Sequence, residues 1–395
     1  MYKFCFLLFS FLIISTSSES FSDVYFQETE NDNILEIPFE YVEGLIVIKA
    51  TVNGEEGRFL FDNGATHSCF NKDFAKKSNV TFRKRTRITD GNNNRTYVRK
   101  ANIKKIEIDK AIFSNTEAYL IDTKKFFPCD PVDGIIGASI INAVNWKIDF
   151  EKKKMLLSLK PFEGNGLKMK MDISSSSNST FINFKLNKKP LRTKVDFGFK
   201  GELKVNRYKK RFSLRGIKTE RRVGISSLSI TGLGNIDTTR IIHRDFDLSH
   251  LEKQLPVSPE VTLTKYLKYD ARIGLDYFKK YKLIVNSTSR EYILSNPKPV
   301  SDQPLKSYGI KIYVTNGAYK IIQIKTNESF SSSVKLMSEI TFIDGKPVTY
   351  FKGFCHFQNY LDQKKRNRES LSIRLKNSDK DIEIPFKKPL LKLVS

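Results

Sequence analysis

The chain has 395 residues, with 68 lysines and arginines against 43 aspartates and glutamates, for a formal net charge of +25. Hydrophobic residues make up 39% and include 30 Phe, which excludes a wholly disordered chain, and 20 Gly with 13 Pro exclude a collagen-like or low-complexity one. At about 150 residues per domain, the length suggests two or three domains.

The positive charge is spread along the chain in pairs and triplets such as Lys152-Lys153-Lys154 and Lys209-Lys210-Arg211, with no single basic arm or helix. That pattern fits a solvated basic surface, and no nucleic-acid partner is expected.

Residues 1–20 read as a secretory signal peptide. Lys3 supplies a positive start, Phe4 to Ile14 an apolar stretch, and Ser15 to Ser20 a small, polar cleavage region. The protein is therefore expected to be exported, whether periplasmic, cell-surface or secreted. No later stretch is long and apolar enough to form an integral membrane segment after cleavage.

Cys69, Cys129 and Cys355 remain in the mature chain. In an oxidising compartment Cys69 and Cys129 can pair, leaving Cys355 odd. His67, His243, His250 and His356 are the only histidines, and none lies at metal-ligand spacing from another. No metal and no cofactor is expected, and no G-x-S-x-G elbow suggests a serine nucleophile.

From about residue 35 to 300 short strands dominate. Leu45 to Val52 alternates apolar and polar residues, and Arg58 to Asp62 is a strand entering a turn. Ile103 to Ile108 and Ile112 to Ile121 follow, and Lys147 to Phe150 and Met155 to Leu159 bracket a charged turn. Phe70 to Lys77 and Ala138 to Val144 read as short helices. Ser174 to Ser177 reads as a polar linker, and Asn296 to Pro304, with Pro297, Pro299 and Pro304, as a second one.

The two stretches divided by the first linker resemble each other. Arg58-Phe-Leu-Phe-Asp62-Asn63-Gly64-Ala65 ends a strand in D-x-G and is answered by Gly137 in Asp133-Gly-Ile-Ile-Gly137. Arg192-Thr-Lys-Val-Asp196-Phe197-Gly198-Phe199 does the same and is answered by Gly274 in Arg272-Ile-Gly274. The Asp-to-Gly steps are 75 and 78 residues. One D-x-G is an ordinary tight turn. Two of them, each after a strand and each followed at matched distance by an apolar-Gly element, suggest paired carboxyl groups. Such a pair can activate a water and protonate a carbonyl, because like charges resist simultaneous ionisation. Glycine in third place lets backbone amides approach the carboxylate.

On these residues, 35 to 298 resemble the pepsin-like and retroviral-type aspartic proteases, in the form of the aspartyl proteases of bacterial secretomes. The resemblance implies a mainly β fold, a bilobal pepsin-like pair of acid-protease β-barrels, with one lobe at 21–175 and the other at 176–298. It implies Asp62 and Asp196 as the catalytic dyad, with Asn63, Gly64, Phe197 and Gly198 in the active-site turns and a peptide or protein as substrate. It also implies a flap, whose tip is expected at Thr89-Asp90-Gly91-Asn92, with Gly232-Leu-Gly234 as the equivalent turn in the second half. Asn63 and Phe197 depart from the family's Thr or Ser, whose hydroxyl locks the two turns together. Asn63 keeps an amide donor; the Phe197 side chain donates nothing. The rival reading is a catalytically weakened protease-fold protein acting as a peptide-binding or scaffold module, its cleft filled by Phe197 or Phe199.

Residues 305–390 resemble a PDZ domain. Tyr308-Gly309-Ile310 is similar to the apolar-Gly-apolar carboxylate-binding loop, and Ile343-Asp344-Gly345-Lys346 to the family's I-N-G-K turn. The likeness implies a small β-rich domain that takes a peptide ligand as an added strand. Ser331 to Leu336 is expected as a short helix, and the Pro-containing linker as a boundary that few contacts cross.

Overall fold

The computed structural model describes residues 23–26, 34–298 apart from 92, 226, 230 and 244, and 308–386 apart from 316. The expected signal segment and most of the Pro-containing linker lie outside these residues. The described chain is mainly β, with helices confined to short pieces and one of 14 residues, Phe354–Asn367. Among the described residues, no helix is long and apolar enough to cross a membrane.

Each D-x-G turn sits at the end of a strand held between others of its own half. Strand Glu55–Phe61 pairs antiparallel with Leu45–Val52 and parallel with Gly134–Ile136. Strand Lys189–Asp196 pairs antiparallel with Thr180–Leu186 and parallel with Ala271–Gly274. Gly134–Ile136 also pairs antiparallel with Ser68–Phe70, and Ala271–Gly274 likewise with Leu203–Asn206. The sequence repeat is thus a repeat of strand pairing, in the same order and the same sense.

Six strands join the two halves. Ile34–Pro38, Lys154–Ser158, Asn145–Asp149, Lys282–Asn286, Glu291–Ser295 and Leu167–Ile173 pair antiparallel in that order. Trp146 and Tyr292, both fully buried, sit on these strands, and the Trp146 indole donates to the Ile141 carbonyl at 2.8 Å. Phenylalanine fills much of the adjoining core. Phe59, Phe61, Phe70, Phe74, Phe184 and Phe197 are all buried. Each such side chain contributes about 1.5–3 kcal/mol by leaving water.

Asn71 caps the helix Lys72–Lys77, its side chain accepting from the Phe74 amide at 2.8 Å, and the helix predicted after Gly137 is Ala138–Ile141. Two expectations fail. Ser174 to Ser177 is no linker but the turn of a hairpin between Leu167–Ile173 and Thr180–Leu186, whose first strand already pairs with Glu291–Ser295. Ser331 to Leu336 is a run of turns, because the Ser331 hydroxyl donates to the Glu328 carbonyl at 2.7 Å, and serines that bond locally compete with a helix.

The C-terminal strands and the helix Phe354–Asn367 enclose a core of their own, built from Ile321, Ile343, Phe357, Leu371 and Ile373. The expectation that few contacts join this unit to the rest is wrong on two counts. Strand Ala318–Lys325 pairs with Thr219–Ile225 of the second half, with Val223 opposite Ile324, so one sheet runs through both. Cys355 is bonded to Cys129 of the first half, 226 residues away in sequence. The available Cys69–Cys129 pair does not form: Cys69 is free and buried on the short strand Ser68–Phe70.

Candidate active site

Asp62 and Asp196 follow the two inner strands into matching turns. The Ala65 amide donates to the Asp62 carbonyl (3.3 Å) and the Phe199 amide to the Asp196 carbonyl (3.2 Å). The apolar-Gly elements then clamp each turn from below, with Ala138 N donating to Ala65 O and Leu275 N to Phe199 O, both at 2.8 Å. Glycine is required at both clamps. A Cβ at Gly137 would lie 2.4 Å from the His67 carbonyl, and one at Gly274 2.2 Å from the Gly201 and Phe199 carbonyls.

The two turns face each other closely. A Cβ at Gly64 would stand 2.2 Å from Asp196 Oδ1, and one at Gly198 2.3 Å from Asp62 Oδ2, so each carboxyl is packed on the other's glycine. Asp62 Oδ1 accepts from both amides, Gly64 N at 2.7 Å and Gly198 N at 2.9 Å. Burial, and then the facing Asp196, push the Asp62 carboxyl up to about 7, against the pull of those amides and of Lys194. Two carboxyls this close resist simultaneous ionisation, so the pair titrates as a unit.

The departures from the family pattern are resolved in unexpected ways. Asn63 is buried, and its Oδ1 accepts from the Phe197 backbone amide at 2.9 Å. Its Nδ2 donates to Thr180 Oγ1 (3.2 Å) and the Tyr292 hydroxyl (3.3 Å). The turns are thus locked across the dyad through the main chain of Phe197. Asn63→Ala is expected to leave that buried amide unpaired and to cost about 1–3 kcal/mol, measured as a shift in denaturant midpoint at constant slope. Phe197 does not fill the cleft. It is fully buried, stacked on Phe61 at 6.1 Å and edge-on to Phe278 at 5.7 Å.

Two cations near the dyad escaped the sequence reading. Lys194 donates to the Gly64 carbonyl at 2.8 Å, and Arg272 Nε lies 3.3 Å from Asp196 Oδ2. The Arg272 guanidinium also donates to the Gly91 carbonyl at 3.1 Å and lies 5.7 Å from the centre of the half-buried Phe199 ring. Nothing local marks these residues. Each stands two places before the Asp or Gly of its motif, where an inner strand ordinarily carries an apolar residue.

The expected flap tip is a hairpin turn between Lys84–Thr89 and Arg95–Ile108, with Asp90 N donating to Asn94 O at 2.9 Å. Its first strand is mostly exposed, as the polar run Lys84 to Thr89 dictates, and its second becomes buried toward Ile108. In the second half the matching turn lies slightly earlier than expected. Ser229 pairs with Gly232, so Gly232–Leu233 is the returning strand and not the tip. The two turns interlock. Asp90 Oδ2 accepts from Ser229 Oγ at 2.6 Å and from the Thr231 hydroxyl, and Asn94 Nδ2 donates to Thr231 Oγ1 at 3.1 Å. Asp90→Ala is expected to remove about 1.5–3 kcal/mol from this closure. Amide hydrogen exchange across residues 84–97 then becomes roughly 10–100-fold faster.

Tyr308 is buried in the C-terminal core, Gly309 has φ of +70° and accepts from the Lys325 amide, and Ile310 opens the strand Ile310–Thr315. Among the described residues, no group of three or more His, Cys, Asp and Glu side chains converges as a metal site requires.

The sequence pattern of the family described as aspartyl protease matches residues 48–140, which include Asp62, Gly64 and Gly137. A retropepsin-like aspartic protease from Rickettsia conorii is similar at 20% identity, over 31% of this chain and 90% of its own, with a TM-score of 0.23. No curated protein sequence matches the chain. The match over residues 48–140 supports an aspartic protease-like fold there.

Proposed function

We propose that the protein is an exported aspartic-type endopeptidase, bilobal in the pepsin manner, with Asp62 and Asp196 as its dyad. The observation that carries this reading is the packing of each carboxyl on the other's glycine, which sets the two carboxyls face to face. Asp196 takes a proton from a water whose oxygen attacks the peptide carbonyl carbon, while the Asp62 carboxyl gives its proton to the carbonyl oxygen. As the C–N bond breaks, the proton held by Asp196 passes to the leaving nitrogen and Asp62 regains one from the diol. Asp90 and Gly91 act as the flap that excludes water during this step. Export is supported by the layout of residues 1–20 and by the Cys129–Cys355 bond, which suits an oxidising compartment. In the test, a peptide library is incubated at pH 3–7 with and without chelator. Internal cleavage unaffected by the chelator is the expected result, and no cleavage at any pH would overturn the proposal.

The PDZ-like reading of residues 305–390 adds a peptide ligand held beside Tyr308-Gly309-Ile310. Titrating the full chain with free-carboxylate and amidated peptides tests it, and equal affinity for both would count against a terminal-carboxylate site.

One observation favours the rival reading of a catalytically weakened binding module. Arg272 ties Asp196 to the flap tip, so a substrate must displace that guanidinium before water can reach the carboxylate. Stoichiometric peptide binding without turnover would select this reading.

A further inference from the structure

The two repeats agree in strand pairing but differ across one row of side chains. In the first, Ile135 lies opposite Leu60 on one neighbouring strand and Cys69 on the other. In the second, the equivalent Arg272 lies opposite Lys194 and Lys204. Directly opposed residues share a face of the sheet, so an apolar row in one half is answered by three cations in the other. The first row faces the first hairpin, where Cys69 and Ile135 pack with Val98, Ile121 and Ile88. The second faces the dyad and the hairpin tips, because Arg272 touches both Asp196 and the Gly91 carbonyl.

The three cations of the row are met by two carboxylates, Asp196 beside Arg272 and Asp237 near Lys204. Lys194 donates to a carbonyl and lies 5.7 Å from the centre of the Tyr269 ring. Asp237, the carboxylate acting on Lys204, is held by Thr264 Oγ1 at 2.6 Å and Arg207 at 3.6 Å. Like charges directly opposed across strands are destabilising, and burying them adds to that cost. A ligand carboxylate would offset both.

We infer that the second half of the cleft is a subsite for an acidic side chain, formed by Lys194, Arg272 and Lys204. The substrate class is then a peptide carrying Glu or Asp on one side of the scissile bond. This rests on the peptidase reading for cleavage, though not for binding.

The test uses peptides identical except for Glu, Gln or Leu at one position on either side of the bond. Cleavage is followed with the wild-type chain, and binding by fluorescence anisotropy with the Asp62→Asn chain. A preference of about tenfold or more for Glu over Gln on one side is expected. It should shrink as salt rises from about 50 to about 500 mM, and fall toward unity in Arg272→Leu and in Lys204→Leu. Equal handling of Glu and Gln by the unsubstituted cationic row, in cleavage or in binding, overturns the inference, as does a preference that survives both substitutions. If nothing is cut but the binding preference holds, the peptidase reading fails and the subsite stands. Peptides neither cut nor bound overturn both.

Discussion

Asp62→Asn is expected to lower kcat for peptide hydrolysis by about 10²–10⁴-fold while leaving the chain folded, and to make it more stable above neutral pH. The first effect follows from the loss of the proton given to the carbonyl oxygen. The second follows from burial. Asp62 is pushed up to about 7 because its charge is desolvated and faces Asp196. A carboxyl whose folded pKa lies above its unfolded value, about 3.9, stabilises fully below that value. That contribution fades as pH rises toward about 7, and above it the buried charge costs about 1.4 kcal/mol for each unit between the two, a few kcal/mol in all. Asparagine keeps an Oδ1 for the Gly64 and Gly198 amides but has no proton to lose. Melting temperatures of the wild type should therefore fall between about pH 4 and pH 7 and level off above, those of Asp62→Asn should not, and the wild-type rate should decline through about pH 7. A variant that is inactive and equally pH-sensitive in stability would show that Asp62 does not hold the proton.

The strands and the two facing D-x-G turns were legible because their signals are local. Two D-x-G turns and two later glycines need only a few neighbouring residues each, and the glycines are demanded by carbonyls 2.2 to 2.4 Å from where a Cβ would stand. What escaped depends on pairing between distant segments. A lock between the turns is expected from side-chain hydroxyls, whereas Asn63 uses the backbone amide of Phe197, a donor every non-proline residue carries. Lys194, Arg272 and Lys204 lie far apart in sequence and become one row only once the register of three strands is known. The prolines near 300 suggested separation. Yet Val223 opposite Ile324 continues the sheet past them, since an exposed strand edge takes a partner wherever the chain offers one.

The same nonlocal stitching leads to the last expected result, that reduction or Cys129→Ser destabilises the folded chain by about 2–5 kcal/mol. The Cys129–Cys355 bond closes a loop spanning 226 residues, far longer than most, and in the chain-entropy account a longer loop restricts the unfolded ensemble more. The loss should be uneven. Cys355 lies at the start of the helix Phe354–Asn367, whose Phe357 and Leu361 are buried in the C-terminal core. Without the bond that unit is attached mainly through the pairing of Thr219–Ile225 with Ala318–Lys325. Exchange protection in 318–375 should fall first, with strands 55–61 and 189–196 retaining theirs. A fragment of 300–395 alone should be less stable than the same residues in the full chain, because it lacks both the bond and the neighbouring strand. Denaturant titration with and without reductant, followed by hydrogen exchange, measures all three. Unchanged midpoints on reduction would mean that strand pairing alone holds the unit, and equal loss of protection across all strands would mean that the chain unfolds as one cooperative body.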